Sequence, residues 1–343
     1  MPTRFRVGLC IVITLVMELI PFGNEAVAGP FGRRCGCRRV VCVRACCAPD
    51  VRAALRPNLE DGVVFYSLFV TSTEGVMKVM GQEIRQKQDQ AYSVRWKALG
   101  LDCEGNWILD AKILATKMRL GINGIAIEFD TRDPRLKLSS NLGFVTLLLG
   151  ADLRFHVQQD GKVKKLEGTD TILKEMEARS PNGSQFAKSI LNETALVRFA
   201  GRLLEGVPPR PVFPGESWES TRTLDAGSIG AYREDSLLAY LGRAGSLQRI
   251  RVESTLSYQP EKSPKIGDLS FQIKSAEVKG STVGQILFDP AKMRIAERTT
   301  ASDLAGKLIV EVGGLRTEVE LRQTQNERLV FSDTNPTWPP PAR

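Results

Sequence analysis

The sequence predicts an α+β protein, mainly antiparallel β-meanders forming a curved sheet, with a central helical segment. Three observations predict it. Short runs alternating apolar and polar residues recur along the chain and are bounded by glycine or proline turns, the signature of half-buried strands. Apolar residues at helical spacing are grouped in the middle of the chain. Strand and helix do not alternate along the sequence, which argues against a doubly wound parallel sheet.

The strands begin at Gly62. Val63 to Val70 is an apolar run rich in β-formers. Tyr92, Val94, Trp96 and Ala98 alternate with Ser93, Arg95 and Lys97, which puts one face of a strand in a core. Asp102 to Asn106 reads as a turn, Trp107 to Leu120 as the returning strand, and Gly121-Ile122-Asn123-Gly124 as the next turn. Ile125, Ile127 and Phe129 then alternate with Ala126, Glu128 and Asp130, completing a meander.

The middle of the chain is mixed. Leu138 to Leu149 reads as an apolar helix. Leu153, Phe155 and Val157 alternate with Arg154, His156 and Gln158. Setting Val157 opposite Val163 requires the three-residue loop Gln159-Asp160-Gly161, with Gly161 at positive φ. Thr169 or Asp170 can cap a short helix from Ile172 to Ala178. Phe186, Ile190, Val197 and Leu204 share one face of a longer helix, about residues 184–205, which Gly206 ends and Pro208-Pro209 cannot continue.

Strands return after Gly215. They run from Trp218 to Leu224, then Ser236 to Leu241 and Leu247 to Tyr258 on either side of Gly242 to Gly245. Leu269, Phe271 and Ile273 alternate with polar residues. Ile286 to Phe288 leads into the turn Asp289-Pro290-Ala291-Lys292. Leu308 to Val312 and Leu315 to Leu321 flank Gly313-Gly314 as a hairpin. Residues 333–343, proline-rich, read as an extended tail.

Ahead of this body lie two other segments. Arg4 and Arg6, the apolar run Val7 to Met17, and Ala26-Val27-Ala28 before Gly29 have the order of a secretory signal peptide spanning residues 1–28. Glu18 and Pro21 cut the run short of the ~20 residues that span a bilayer. The expected mature chain is exported, periplasmic or extracellular, with no transmembrane helix. Residues 29–57 form a leader in which Arg33, Arg34, Arg38, Arg39 and Arg44 interleave with Cys35, Cys37, Cys42, Cys46 and Cys47. In an oxidising compartment those cysteines suggest disulfides within the leader, with at most one bridge to Cys103. The body, residues 58–332, must then fold by hydrophobic burial.

The net charge of +8 comes from 47 Lys+Arg against 39 Asp+Glu. Beyond the leader the two signs interleave, as in Lys174-Glu175-Met176-Glu177, which describes a solvated surface and not a nucleic-acid footprint. The leader itself can contact anionic polymer or lipid.

No residue set carries an expected catalytic, cofactor or metal role. His156 is the one histidine; it belongs to an alternating strand and should face its polar side, as a surface residue beside a hairpin. The cysteine spacing C-x-C-x4-C-x3-C-C lacks the C-x2-C knuckles of structural zinc. Glu128, Asp130 and Asp133 lie close enough for paired-carboxylate chemistry, but Glu128 and Asp130 read as the wet face of a strand.

Val207-Pro208-Pro209-Arg210-Pro211-Val212, Pro214-Gly215-Glu216-Ser217-Trp218 and Gly284-Gln285-Ile286-Leu287-Phe288-Asp289 follow the early meander. In that order they resemble a family of exported bacterial domains of unknown function, of planctomycete type, over about residues 60–332. The late strand entry is also similar to periplasmic lipoprotein carriers, whose half-barrels hold acyl chains. These resemblances imply an exported envelope protein without an assigned chemistry. The reading that follows is a non-enzymatic protein that binds a partner or an amphiphile. Its alternatives are a structural envelope protein tethered by the basic leader, and a hydrolase with scattered carboxylates.

Overall fold

The computed structural model describes residues 52–133, 149–159, 161–179, 200–208, 210–225, 230–260, 265–266, 269–312 and 315–338. Within them the chain forms β1 (Val64–Val79), β2 (Gln82–Leu101), β3 (Trp107–Ile122), β4 (Ile125–Asp130), β5 (Asp152–Val157) and β6 (Val163–Glu167). Helix α1 (Thr169–Arg179) follows. Then come β7 (Ser217–Asp225), β8 (Gly230–Ala244), β9 (Leu247–Pro260), β10 (Lys265–Ile266), β11 (Leu269–Asp289), β12 (Arg294–Val312) and β13 (Leu315–Ser332). All belong to one antiparallel sheet, ordered β6-β5-β3-β2-β1-β13-β12-β11-β9-β8-β7, with β4 beside β3 and β10 beside β11. The first and last long strands, β1 and β13, pair from Tyr66–Ser332 to Val79–Val319, so the sheet closes on them in its middle. The edges are β6 and β7, leaving an open, curved sheet.

This corrects the α+β expectation: the described residues are mainly β, and α1 is the one helix among the named elements. The strands are also longer than their alternating stretches. Leu269–Ile273 and Ile286–Phe288, read as two strands, belong to the single β11. The apolar helix expected at Leu138–Leu149 lies outside the described residues, apart from Leu149, which bridges Ile113 in parallel. Phe186, Ile190 and Val197 also lie outside. Of the expected helix 184–205, Ala200 and Gly201 are helical, and Gly206, at φ 83°, ends the turns that follow.

Two local readings survive closely. Val157 pairs with Val163, and Gly161 has φ 89°, where a side chain on Cβ would be strained. Thr169 begins α1, with Asp170 in its first turn. The β8–β9 turn is displaced: Ala244 pairs with Leu247 around Gly245-Ser246, and Gly242 sits at a bulge beyond Tyr240.

The main core fills one end of the concave face, where β1, β3, β9 and β12 begin and β2, β8, β11 and β13 end. Phe65 stacks on Trp96 at 6.3 Å between ring centres, and Trp96 meets Phe155 at 5.9 Å. Trp96 is fully buried, and its indole N–H donates to Ser67 Oγ at 2.9 Å, so the polar handle is satisfied. Leu55, Leu59, Leu203, Leu204 and Val212 pack into the same cluster. Ala53 and Val212 exchange backbone hydrogen bonds of 2.8 and 3.1 Å.

Residues 200–208 and 210–212 form a crossing segment over this face. At one end a Cβ on Gly201 would lie 3.0 Å from Gly161 O in the β5–β6 hairpin. At the other a Cβ on Gly206 would lie 2.5 Å from Ile286 Cδ1 of β11 and 3.1 Å from Leu238 Cδ2 of β8. The segment thus spans the two arms of the sheet. A smaller cluster, Met77, Val79, Ile84 and Val319, closes the sheet's opposite end.

The curl depends on close strand approach at β11–β12. A Cβ on Gly306 would lie 2.2 Å from Glu277 O and 2.5 Å from Val278 Cα, both backbone atoms. Gly306→Ala is expected to destabilise the protein by about 1–3 kcal/mol, as overpacking does. Urea unfolding checks this; a change within about 0.5 kcal/mol, the size of a neutral surface substitution, would mean that the strands simply part.

Candidate functional site

The concave face changes character along the strands. Beyond the apolar end, cross-strand pairing places Gln88 opposite Thr73, Thr73 opposite Gln325, Gln325 opposite Ser302 and Ser302 opposite Thr282. Thr282 then faces Ser254, Ser254 faces Ser236, and Ser236 faces Ser220. The result is a row of uncharged amide and hydroxyl side chains across the consecutive strands β2-β1-β13-β12-β11-β9-β8-β7. Inward orientation follows from period 2: Leu256 and Val252 flank Ser254 and are buried with it. All but the β8 and β7 members are buried. Ser236 and Ser254 share a hydrogen bond of 2.9 Å.

The neighbouring positions belong to the same face. Gln86 is 6% exposed; its Nε2 donates to Gln88 Oε1 at 3.2 Å, while its own Oε1 is buried without a partner. On β7 the indole N–H of Trp218 is likewise buried and unpaired.

A largely buried ionic clasp ties the crossing segment to this face. Glu205 forms an ion pair with Arg298 of β12, Oε1 to Nη1 2.6 Å, and another with Arg222 of β7. Arg222 also pairs with Glu234 of β8. Arg202 reaches Glu327 of β13 at 2.7 Å, and its guanidinium lies 4.7 Å from the Phe69 ring centre. Three arginines thus face three glutamates. Burial by itself raises the Glu205 pKa, but Arg222, Arg298 and Arg202 outweigh it and hold the carboxyl down at about 2. These pairs fix the segment across the arms.

On the convex side, His156 sits between two carboxylates. Its Nδ1 is 3.1 Å from Asp102 Oδ2 and its Nε2 is 3.3 Å from Glu167 Oε1. The outward orientation read from the alternation holds, yet the side chain is only 16% exposed, so it is not a free surface residue. Asp102 closes its own turn: Asn106 donates to both its oxygens and the Glu104 N–H to one. Asn106 first, then His156, keep its carboxyl below the ordinary range. His156→Ala should therefore cost about 0.5–1.5 kcal/mol, the net worth of a typical hydrogen bond, with the Asp102 turn intact. Thermal melting gives the size, and a loss above about 3 kcal/mol would make His156 a keystone of the β5–β6 hairpin.

The carboxylates singled out earlier are not gathered into one site. Glu128 is exposed. Asp130, expected on the wet face, is buried: Trp338 of the tail donates to its two oxygens at 3.2 and 3.0 Å, and Arg132 lies 4.8 Å from the Trp338 ring centre. The Asp133 N–H donates to the Asp130 carbonyl at 3.1 Å. Asn335 of the tail accepts from Ser93 at 3.0 Å. Cys103 is a free, exposed thiol; the leader cysteines lie outside the described residues. Among the described residues no group of His, Cys, Asp and Glu is arranged to hold a metal ion, and no helix is long and apolar enough to cross a membrane.

The motifs behind the family resemblance have structural roles. Glu216 accepts from the Phe213 N–H at 3.0 Å and from Arg210 at 3.1 Å, which fixes the entry to β7. Asp289 accepts from the Ala291 N–H at 2.9 Å and turns β11 into β12.

Sheet, crossing segment and polar row define an antiparallel β-sheet protein that folds one face around its own chain. The chain belongs to a family of unknown function (DUF6263), whose profile matches residues 104–292, from the β2–β3 turn to the β11–β12 turn. No curated protein matches it significantly. Solved structures with a similar course include the COG4313 outer membrane channel from Pseudomonas putida F1, at 5% identity and TM-score 0.26, covering 82% of this chain and 99% of that one. Pseudomonas aeruginosa OccK5 (OpdH) follows at 7% identity and TM-score 0.21, covering 80% and 99%. Scores of this size carry no argument about function. These neighbours are not lipoprotein carriers, so the resemblance to carriers gains nothing from them.

Proposed function

We propose that this is an exported, non-enzymatic binding protein of the cell envelope, which holds its ligand on the concave face of the sheet. The row from Gln88 to Ser220 carries the reading. It is a continuous set of hydrogen-bonding groups on strands far apart in sequence, brought to one inner face. Interiors are ordinarily apolar, so a polar band across eight strands sets this part of the face apart from its packed apolar end. The acids and bases of the same face support binding over catalysis. Glu205, Glu234 and Glu327 are each engaged by an arginine, an arrangement that holds structure rather than moving protons. The apolar end offers less to an acyl chain, since Val94 and Trp96 are already packed with Leu203 and Leu204.

Native mass spectrometry of protein purified from its own envelope fraction tests this. The expected result is a chain beginning at Gly29 with a retained small molecule. A bare chain, together with turnover of a hydrolase substrate panel, would overturn it.

A further inference from the structure

We propose that the free edge of β7 is a docking surface for a second copy of this chain, the two β7 strands pairing antiparallel about a two-fold axis at Thr221. This goes beyond the binding reading and does not depend on it. Among the described residues the sheet has two edges, β6 and β7. An uncovered edge is a row of unpaired N–H and C=O groups, and proteins that stay apart blunt it with short strands, lysines, prolines or bulges. β6 is blunted in this way. It has five residues, Lys164 and Lys165 among them, and the pairing of β5 with it slips between His156 and Val157. β7 is not blunted. It has nine residues without a lysine or a proline, and its pairing with β8 runs without a shift from Ser217–Ala239 to Asp225–Ala231. Ser217, Glu219, Ser220, Thr221 and Thr223 are exposed.

The backbone ladder fixes which groups this edge offers. Just ahead of β7 the Tyr240 N–H donates to the Glu216 carbonyl at 2.9 Å, in the register that β7 and β8 then keep. Backbone groups alternate between the two sides of an antiparallel strand. The even-numbered residues of β7 therefore bond to β8, while Ser217, Glu219, Thr221, Thr223 and Asp225 turn N–H and C=O to the free side. A two-fold axis at Thr221 sets Ser217 opposite the partner's Asp225, Glu219 opposite the partner's Thr223 and Thr221 opposite the partner's Thr221. Each of these is a hydrogen-bonded pair, so the whole strand is used and its outward groups are satisfied. Charge favours a second copy as the occupant. Glu219, Arg222 and Asp225, the charged residues of β7, stand opposite the partner's Thr223, Ser220 and Ser217, so no charge meets its own sign across the pairing. One strand from each copy makes a small interface, and the dimer should exchange rapidly with monomer.

Sedimentation velocity of the full mature chain from ~1 to ~500 μM, the range of a small transient interface, tests this. A dimer that grows with concentration is expected. Thr221→Pro leaves the backbone ladder to β8 intact and gives up only the Thr221 hydroxyl's bond to Asp235 within the chain. It removes an N–H from each copy at the axis and should weaken the dimer at least ~10-fold. Thr223→Glu sets a carboxylate opposite the partner's Glu219, twice by symmetry, and should weaken it by ~10-fold or more. Adding Glu219→Lys to that variant turns both clashes into opposite-charge pairs and should restore the dimer. This charge series carries the test by itself if the proline variant fails to fold. A monomer at every concentration would overturn the inference. So would a dimer that Thr221→Pro and Thr223→Glu both leave unchanged, because it would rest on another surface.

Discussion

Glu205→Ala is expected to cost about 3–5 kcal/mol of stability, the loss typical of breaking a buried ion pair from one side. The substitution takes the carboxylate from Arg298 of β12 and leaves Arg222 of β7 with Glu234 alone. Arg298 has little recourse to water, being buried on β12. The same clasp sets a pH dependence. Glu205 is held near 2 in the folded protein against an ordinary 4.5, so its folded pKa is depressed. Its contribution is fully present above about pH 4.5 and is lost as pH falls toward about 2. Urea unfolding of the wild type and of Glu205→Gln, from neutral pH down through that window, isolates the effect. The gap between the two should close as the solution acidifies. A cost below about 1 kcal/mol, or a gap that stays constant, would show that the clasp is solvated and behaves as a surface pair.

A chain that starts at Asn58 is expected to be less stable by about 2–5 kcal/mol than one that starts at Arg52, the range for loss of a buried leucine. Leu55 is 1% exposed in the main core. Deleting it also removes the paired backbone hydrogen bonds between Ala53 and Val212, which anchor the far end of the crossing segment. Extending the chain from Arg52 back to Gly29 should add far less than this. Denaturant midpoints of the three chains decide, and they test a domain boundary drawn after Pro57 where the arginines and cysteines run out. Equal midpoints for starts at 52 and 58 would mean that Leu59, also in the core, closes that end alone.

Where apolar residues occupy every second position against polar neighbours, the strands were legible along the chain. Tyr92 to Ala98 and Leu153 to Val157 lie in strands with the inward faces expected, and Leu247 to Tyr258 lies in a strand as well. Turn chemistry was legible for the same local reason: the loop at Gly161 and the stop at Gly206 each need a backbone conformation that glycine adopts freely. The beginning of β2, Gln82 to Gln90, was not legible. Its inner positions are Ile84, Gln86 and Gln88, and its outer positions are Glu83, Arg85 and Lys87, so both faces look wet. The later part of β13, with Gln323, Gln325 and Glu327 turned inward, hides in the same way.

Residue spacing therefore settled the local elements of this protein: which stretches extend, which turns close them, and which face meets an apolar core. Those properties depend on neighbours a few positions away, through side-chain alternation and backbone sterics. Folding settled the rest. Gln88 and Ser254 enter one row, Glu205 finds Arg298, and Trp338 covers Asp130 through pairings between distant parts of the chain. No periodicity announces such contacts, because a polar residue that will be buried beside a partner reads in sequence like one that will face water.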